Sequence, residues 1–231
     1  MRHASVLTVP GWHGSEARHW QTIWEGRYPA VSRVEQSNWE RPRLDRWIAT
    51  LDDRVQRTQR PVVLVGHSLG CLAIAHWART IQDKCNVLAA LLVAPPWFGR
   101  EASCPREMRA FVSVPANALP FRSILVASRN DPYLCFSAAA ELADRWGSTF
   151  IDAGFAGHIN VSSGHGEWTQ GEDLLKTLLS QRALLHGQEE DGHQDQHVNG
   201  GSNHAAYNGR GNRLHHIRAD ARFPQNRHEA G

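Results

Sequence analysis

Residues 61–78 constrain this chain more than any other stretch. Pro61 is followed by Val62-Val63-Leu64-Val65, a short apolar run that reads as a strand buried on both faces. Gly66-His67-Ser68-Leu69-Gly70 comes next, and then Cys71-Leu72-Ala73-Ile74-Ala75-His76-Trp77-Ala78, which reads as a buried helix. A strand, a sharp turn with a serine between glycines, and a helix are together the context that lifts a serine hydroxyl above the end of a sheet. Bulky side chains at 66 and 70 would collide with the helix and the adjacent strands. The turn also places the backbone N–H of Leu69 beside the serine at a helix N-terminus, where it can stabilise an oxyanion. The plainer reading is a buried turn whose glycines serve packing alone. The strand before it and the helix after it favour a nucleophile.

The same alternation runs through the rest of the chain. Apolar segments at 5–9, 31–34, 61–66, 87–93, 123–128 and 149–151 read as strands. Trp20, Ile23 and Trp24 fall at helical spacing within 16–27, and Leu44, Trp47, Ile48, Leu51 and Val55 draw one apolar face over 42–57. Further helices are expected over 69–83, around Leu142, Ala143 and Trp146, and along Leu174–Leu185. Residues 94–121 carry five prolines and read as loop with one short helix. The pattern predicts an α/β domain over residues 1–186, a mostly parallel six-stranded sheet with helices on both faces. In such sheets ligands bind beyond the carboxyl ends of the strands.

Composition bounds the function. The 231 residues carry a formal charge of +2. No basic stripe interleaves with aromatics, so nucleic acid is not an expected partner. Nothing before the first strand resembles a signal peptide, and no apolar run reaches a membrane span, so no membrane partner is expected either. Cys71, Cys85, Cys104 and Cys135 show no C-x-x-C pairing and read as free thiols of a reducing, cytoplasmic setting. After Gly187 the chain is rich in Gly, Asn, Gln, Asp, Arg and His, and all nine tryptophans lie before residue 169. Residues 187–231 are therefore expected to form a disordered polar tail. Its six histidines have no ligand spacing with a cysteine, and no metal or organic cofactor is expected.

Three chemical groups fall just past three strand ends: Ser68 after the third, Asp131 in Ser128-Arg129-Asn130-Asp131-Pro132-Tyr133 after the fifth, and His158 in Gly154-Phe155-Ala156-Gly157-His158 after the sixth. The chain order Ser, Asp, His suits a hydrolase in which His158 takes the proton of Ser68 while Asp131 holds the imidazole. His165, in Gly164-His165-Gly166, competes for the role of base. A second oxyanion donor should come from the loop after the first strand, Pro10-Gly11-Trp12-His13-Gly14, with the backbone N–H of Trp12 as the candidate. Trp12, His13, His67, Trp97 and Phe98 are candidates to line a substrate cleft for small apolar or aromatic acyl groups.

The segments VPGWHGSEARHWQTIWE (9–25), VLVGHSLG (63–70), VPANALPFRSILVASRNDPY (114–133) and GFAGHINVSSGHGEW (154–168) resemble the YdeN-like serine hydrolases, also called the retinoblastoma-binding-protein-nine family, within the α/β-hydrolase superfamily. The resemblance covers about residues 5–185. It implies a reduced hydrolase core and places the triad on the serine of GHSLG, the aspartate of NDPY and the histidine of GHIN, here Ser68, Asp131 and His158. It implies a cofactor-free hydrolase of small esters or amides. A protein-interaction module on the same fold, and an acyltransferase with the same triad, are the alternatives. The resemblance does not reach the tail.

Overall fold

The structure is a computed structural model and describes residues 4–81, 86–97 and 104–186, the last six by backbone alone. In chain order its elements are β1 (Ser5–Val9), α1 (Trp20–Arg27), β2 (Val31–Arg33), α2 (Leu44–Gln56), β3 (Val62–His67), α3 (Leu69–Ala78) and β4 (Val87–Val93). A 3-10 segment (Arg106–Phe111), β5 (Arg122–Ala127), α4 (Phe136–Trp146), β6 (Thr149–Asp152), a short 3-10 turn (Val161–Ser163) and α5 (Thr169–His186) follow. The six strands form one sheet in the order β2-β1-β3-β4-β5-β6. Every neighbouring pair is parallel, so among the described residues the sheet has no antiparallel member.

Side-chain alternation along the strands divides the core in two. Val62 and Leu64 of β3 join a cluster with Trp47 and Leu51 of α2, Ile74 and Trp77 of α3, and Leu142 and Trp146 of α4. Val63 and Val65 point to the other face and pack with Trp20 and Trp24 of α1, Trp168, and Leu175 and Leu178 of α5. Apolar on both faces, β3 and β4 must lie in the middle of the sheet, where they are found. The tryptophans sort the same way, with Trp20, Trp24 and Trp168 stacked or tilted against one another on one face.

Several boundaries differ from expectation. Residues 16–19 do not join α1. The His19 Nδ1 accepts the N–H of Gln21 and caps the helix, which therefore begins at Trp20. The elbow helix ends at Ala78, where the Thr80 hydroxyl donates to the carbonyl of Trp77 and closes the last turn. The expected tail beyond residue 186, the cleft candidate Phe98 and Cys85 lie outside the described residues. Among the described residues no helix is long and apolar enough to cross a membrane.

Candidate active site

The chain runs from β1 outward to β2, then crosses back to place β3 on the other side of β1. That reversal opens a crevice at the carboxyl ends of β1 and β3. Ser68 stands at the end of β3 and Gly11–Trp12 at the end of β1, so both edges of the crevice carry sequence-predicted groups.

Ser68 has φ 51° and ψ −125°, a backbone conformation that a non-glycine residue adopts only under constraint from its surroundings. The surroundings are tight. A Cβ on Gly70 would run into the Val9 carbonyl, and one on Gly66 would come within 2.8 Å of Ile74 Cδ1 and 3.1 Å of the Cys71 Cα. Gly11 is pressed as closely: its Cβ would lie 2.8 Å from Ser68 Cβ and 3.3 Å from the Leu69 nitrogen. The β1 loop therefore abuts the serine turn, and the Leu69 N–H opens α3 with no helical carbonyl before it to accept it.

Two loops bring the other groups to the serine. His158 Nε2 lies 3.0 Å from Ser68 Oγ. His158 Nδ1 lies 2.9 and 3.1 Å from the two carboxylate oxygens of Asp131. A carboxylate accepts, so Nδ1 carries the proton and Nε2 presents its lone pair to the serine hydroxyl. The Asp131 side chain is 1% exposed and also accepts the N–H of Tyr133 at 2.9 Å. The loop bearing His158 is tied to the loop bearing Asp131 at several points. The Gly157 N–H donates to Asn130 Oδ1 and the Ala156 N–H to Ser128 Oγ, each at 2.8 Å, while Arg129 pairs with Asp152 at 2.6 Å. Beyond the histidine, Asn160 and Ser163 cap the following turn reciprocally.

The remaining candidates are spread more widely. His165 is half-buried with Nδ1 3.3 Å from Ser163 Oγ, and it is His158 that faces Ser68. Trp12 is half-buried, donates Nε1–H to the Glu40 carbonyl and stacks on His13 at 4.2 Å. His13 itself is exposed and turned to Glu40 at 2.7 Å. Trp97 is half-buried and its N–H donates to the Tyr133 carbonyl. His67, expected in the cleft lining, is buried; its ring packs 5.0 Å from that of His158 and its Nε2 bonds the His158 carbonyl at 3.0 Å. Tyr133, absent from the sequence-based set, stands edge-on to the His158 ring at 4.6 Å and is 47% exposed. Its position two residues after Asp131 was the only signal for it.

Burial sets the protonation of the histidines behind the site. His19 is 2% exposed, and burial, with Arg33 and His158 adding to it, pushes its pKa down to about 3. Burial likewise holds His67 well below the usual histidine range. Both rings are neutral at ordinary pH. Among the described residues no three His, Cys, Asp or Glu side chains gather as a metal site.

A parallel sheet sandwiched by helices, with a strained serine turn after a central strand, defines the α/β-hydrolase fold. The family described as serine hydrolase matches residues 6–177, and the chain belongs to it as a YdeN-like member. A YdeN-like protein of Pectobacterium atrosepticum, solved as a crystal structure, is 33% identical, with TM-score 0.67, covering 77% of this chain and 91% of its own. The ydeN gene product of Bacillus subtilis is 23% identical over 187 residues, which are 76% of this chain and 96% of that protein. Its crystal structure superposes with TM-score 0.63 at 20% identity, covering 77% of this chain and 99% of its own.

Proposed function

We propose that this chain hydrolyses a small ester or amide through an acyl-enzyme on Ser68. The observation that carries the proposal is the unbroken hydrogen-bond series from Ser68 Oγ to His158 Nε2, and from His158 Nδ1 to Asp131. Ser68 Oγ attacks the acyl carbonyl carbon as its proton passes to His158 Nε2. The carbonyl oxygen, now anionic, is held by the N–H groups of Leu69 and Trp12. Collapse breaks the bond to the leaving group, which takes the proton from His158. Water then attacks the acyl-enzyme, giving a proton to His158 Nε2, and the Ser68 ester bond breaks as Oγ takes that proton back, releasing the acid and restoring the resting pair. Asp131 holds the imidazole tautomer and stabilises the imidazolium in both halves.

Tyr133, beside the His158 ring, forms part of the wall where the leaving group departs, with Trp97 bonded to its carbonyl. Such a wall suits small apolar or aromatic groups. The free thiols of Cys71 and Cys135 support a cytoplasmic setting.

The test is a fluorophosphonate probe together with a panel of p-nitrophenyl esters and aminoacyl amides of graded acyl length. Single labelling on the Ser68 peptide, with turnover of at least one ester or amide, is the expected result. Folded protein that neither labels nor turns over any member of the panel would overturn it in favour of a binding role. Product appearing only when an acceptor alcohol or amine is supplied would replace hydrolysis by acyl transfer.

A further inference from the structure

Resting on the triad reading, we infer that His67 is a positioning residue: the bond from its buried ring to the carbonyl of His158 sets where the His158 imidazole stands relative to Ser68. Within the loop that carries His158, one turn bond runs from the Ile159 N–H to the Ala156 carbonyl at 3.2 Å. Gly157 before it has φ 58° and Ile159 after it φ 49°, so the base lies between two residues in the left-handed region. Ties from elsewhere add to that turn bond in holding the conformation. Asn130 holds Gly157, Ser128 holds Ala156, and Trp20 Nε1–H donates to the Ile159 carbonyl at 2.9 Å. Those bonds grip the residues on either side. The bond of 3.0 Å from His67 grips the main chain of His158 itself.

His67 immediately precedes Ser68 and is the last residue of β3. One rigid ring thus spans from the strand that carries the nucleophile to the backbone that carries the base, and it fixes their separation more directly than any longer route through the sheet. A carbonyl only accepts, so Nε2 of His67 carries the proton. The ring must also stay neutral. An imidazolium with its centroid 5.0 Å from the His158 ring would oppose the positive charge that His158 gains during the reaction. Burial at 5% exposure, with His19 and His165 adding to it, keeps His67 uncharged. The His19 ring, also buried, packs against it at 4.7 Å.

The test compares His67→Phe, which keeps a ring but has no N–H, with His67→Gln, whose amide can reach the same carbonyl. Steady-state ester hydrolysis, the rate of fluorophosphonate labelling and the NMR resonance of the His158 Nδ1–H proton are read on wild type and both variants. His67→Phe should lower kcat on the order of 10- to 100-fold through misplacement of the base. KM should stay within about twofold, because no substrate contact is removed. His67→Gln should recover most of the loss, and the Nδ1–H resonance should broaden or vanish in His67→Phe alone. Unchanged kcat in a folded His67→Phe, or equal impairment of both variants at native thermal midpoints, would overturn the inference and leave His67 a space-filling residue. If wild-type protein neither labels nor hydrolyses, the triad reading fails, while an Nδ1–H resonance unmoved in His67→Phe would still refute the positioning role.

Discussion

The Gly157 N–H donates to the Asn130 side-chain oxygen at 2.8 Å, one residue from Asp131 on one side and one residue from His158 on the other. This bond joins the loop that carries Asp131 to the loop that carries His158, next to both side chains. Replacing Asn130 with alanine removes the acceptor and frees Gly157. Ester turnover is expected to fall by about 10- to 100-fold with folding intact, since a displacement of about 1 Å at the base can cost that much. Asn130→Asp, which keeps an acceptor oxygen, should lose less. Steady-state kinetics with thermal melting on both variants provides the check.

Ser68→Ala should abolish fluorophosphonate labelling in a folded protein. His158→Ala and Asp131→Asn should each slow it by several orders of magnitude, because members of such a triad act as a unit. His165→Ala should slow it far less, for its nearest polar partner is Ser163 rather than Ser68. Intact-mass kinetics separates these outcomes. A His165→Ala variant as slow as His158→Ala would move the base to His165.

Gly11→Ala tests the contact between the β1 loop and the serine turn. The added methyl would stand 2.8 Å from Ser68 Cβ and 3.3 Å from the Leu69 nitrogen, so the turn must shift or the N–H becomes shielded. Loss of one oxyanion donor costs about 10²- to 10³-fold in kcat, and a loss of that order is expected. KM and the thermal midpoint should change little by comparison. Turnover within threefold of wild type would separate the Leu69 N–H from the reaction.

Buried neutral histidines make the fold acid-sensitive. His19 titrates near 6.5 when unfolded and about 3 when folded, so between these values the unfolded chain binds the extra proton. Stability is therefore full above pH 6.5 and falls as pH drops toward 3, by about 2 kcal/mol between pH 7 and pH 5 for His19 alone. His67 acts in the same direction. Urea unfolding at pH 7, 6 and 5 measures the slope, and His19→Gln should make it shallower. An unchanged slope in that variant would show that His19 binds protons equally in the folded and unfolded chain, so that burial does not lower its pKa.

The alternation of apolar strands with amphipathic helices was legible because a parallel sheet covered on both faces demands it, and β3, β4 and β5 could be placed to within a residue. That Ser68, Asp131 and His158 come together was legible through their distance from strand ends. What could not be read were side chains whose role depends on a contact far along the chain. His67 looked like a cleft residue because it adjoins Ser68; that its ring turns inward to a carbonyl 91 residues away follows only from the packing of the last loop. Ser128 and Asn130 lie in an ordinary turn sequence, and nothing local marks them as the ties to Ala156 and Gly157. The start of α1 was misplaced because His19, an uncommon cap, has no strong capping signal.

The strand order leaves β2 and β6 outermost, three and four residues long, each ending in a charged residue, Arg33 and Asp152. Arg33 is paired with Glu25 of α1, and Asp152 with Arg129. A second chain that tried to continue the sheet would find little ladder to grip and would have to disturb an ion pair at either margin. The long apolar strands that would seed such association, β3 and β4, are enclosed at the centre. The arrangement guards against aggregation through brevity and charge at its borders, with no cost to the crevice at the middle of the sheet.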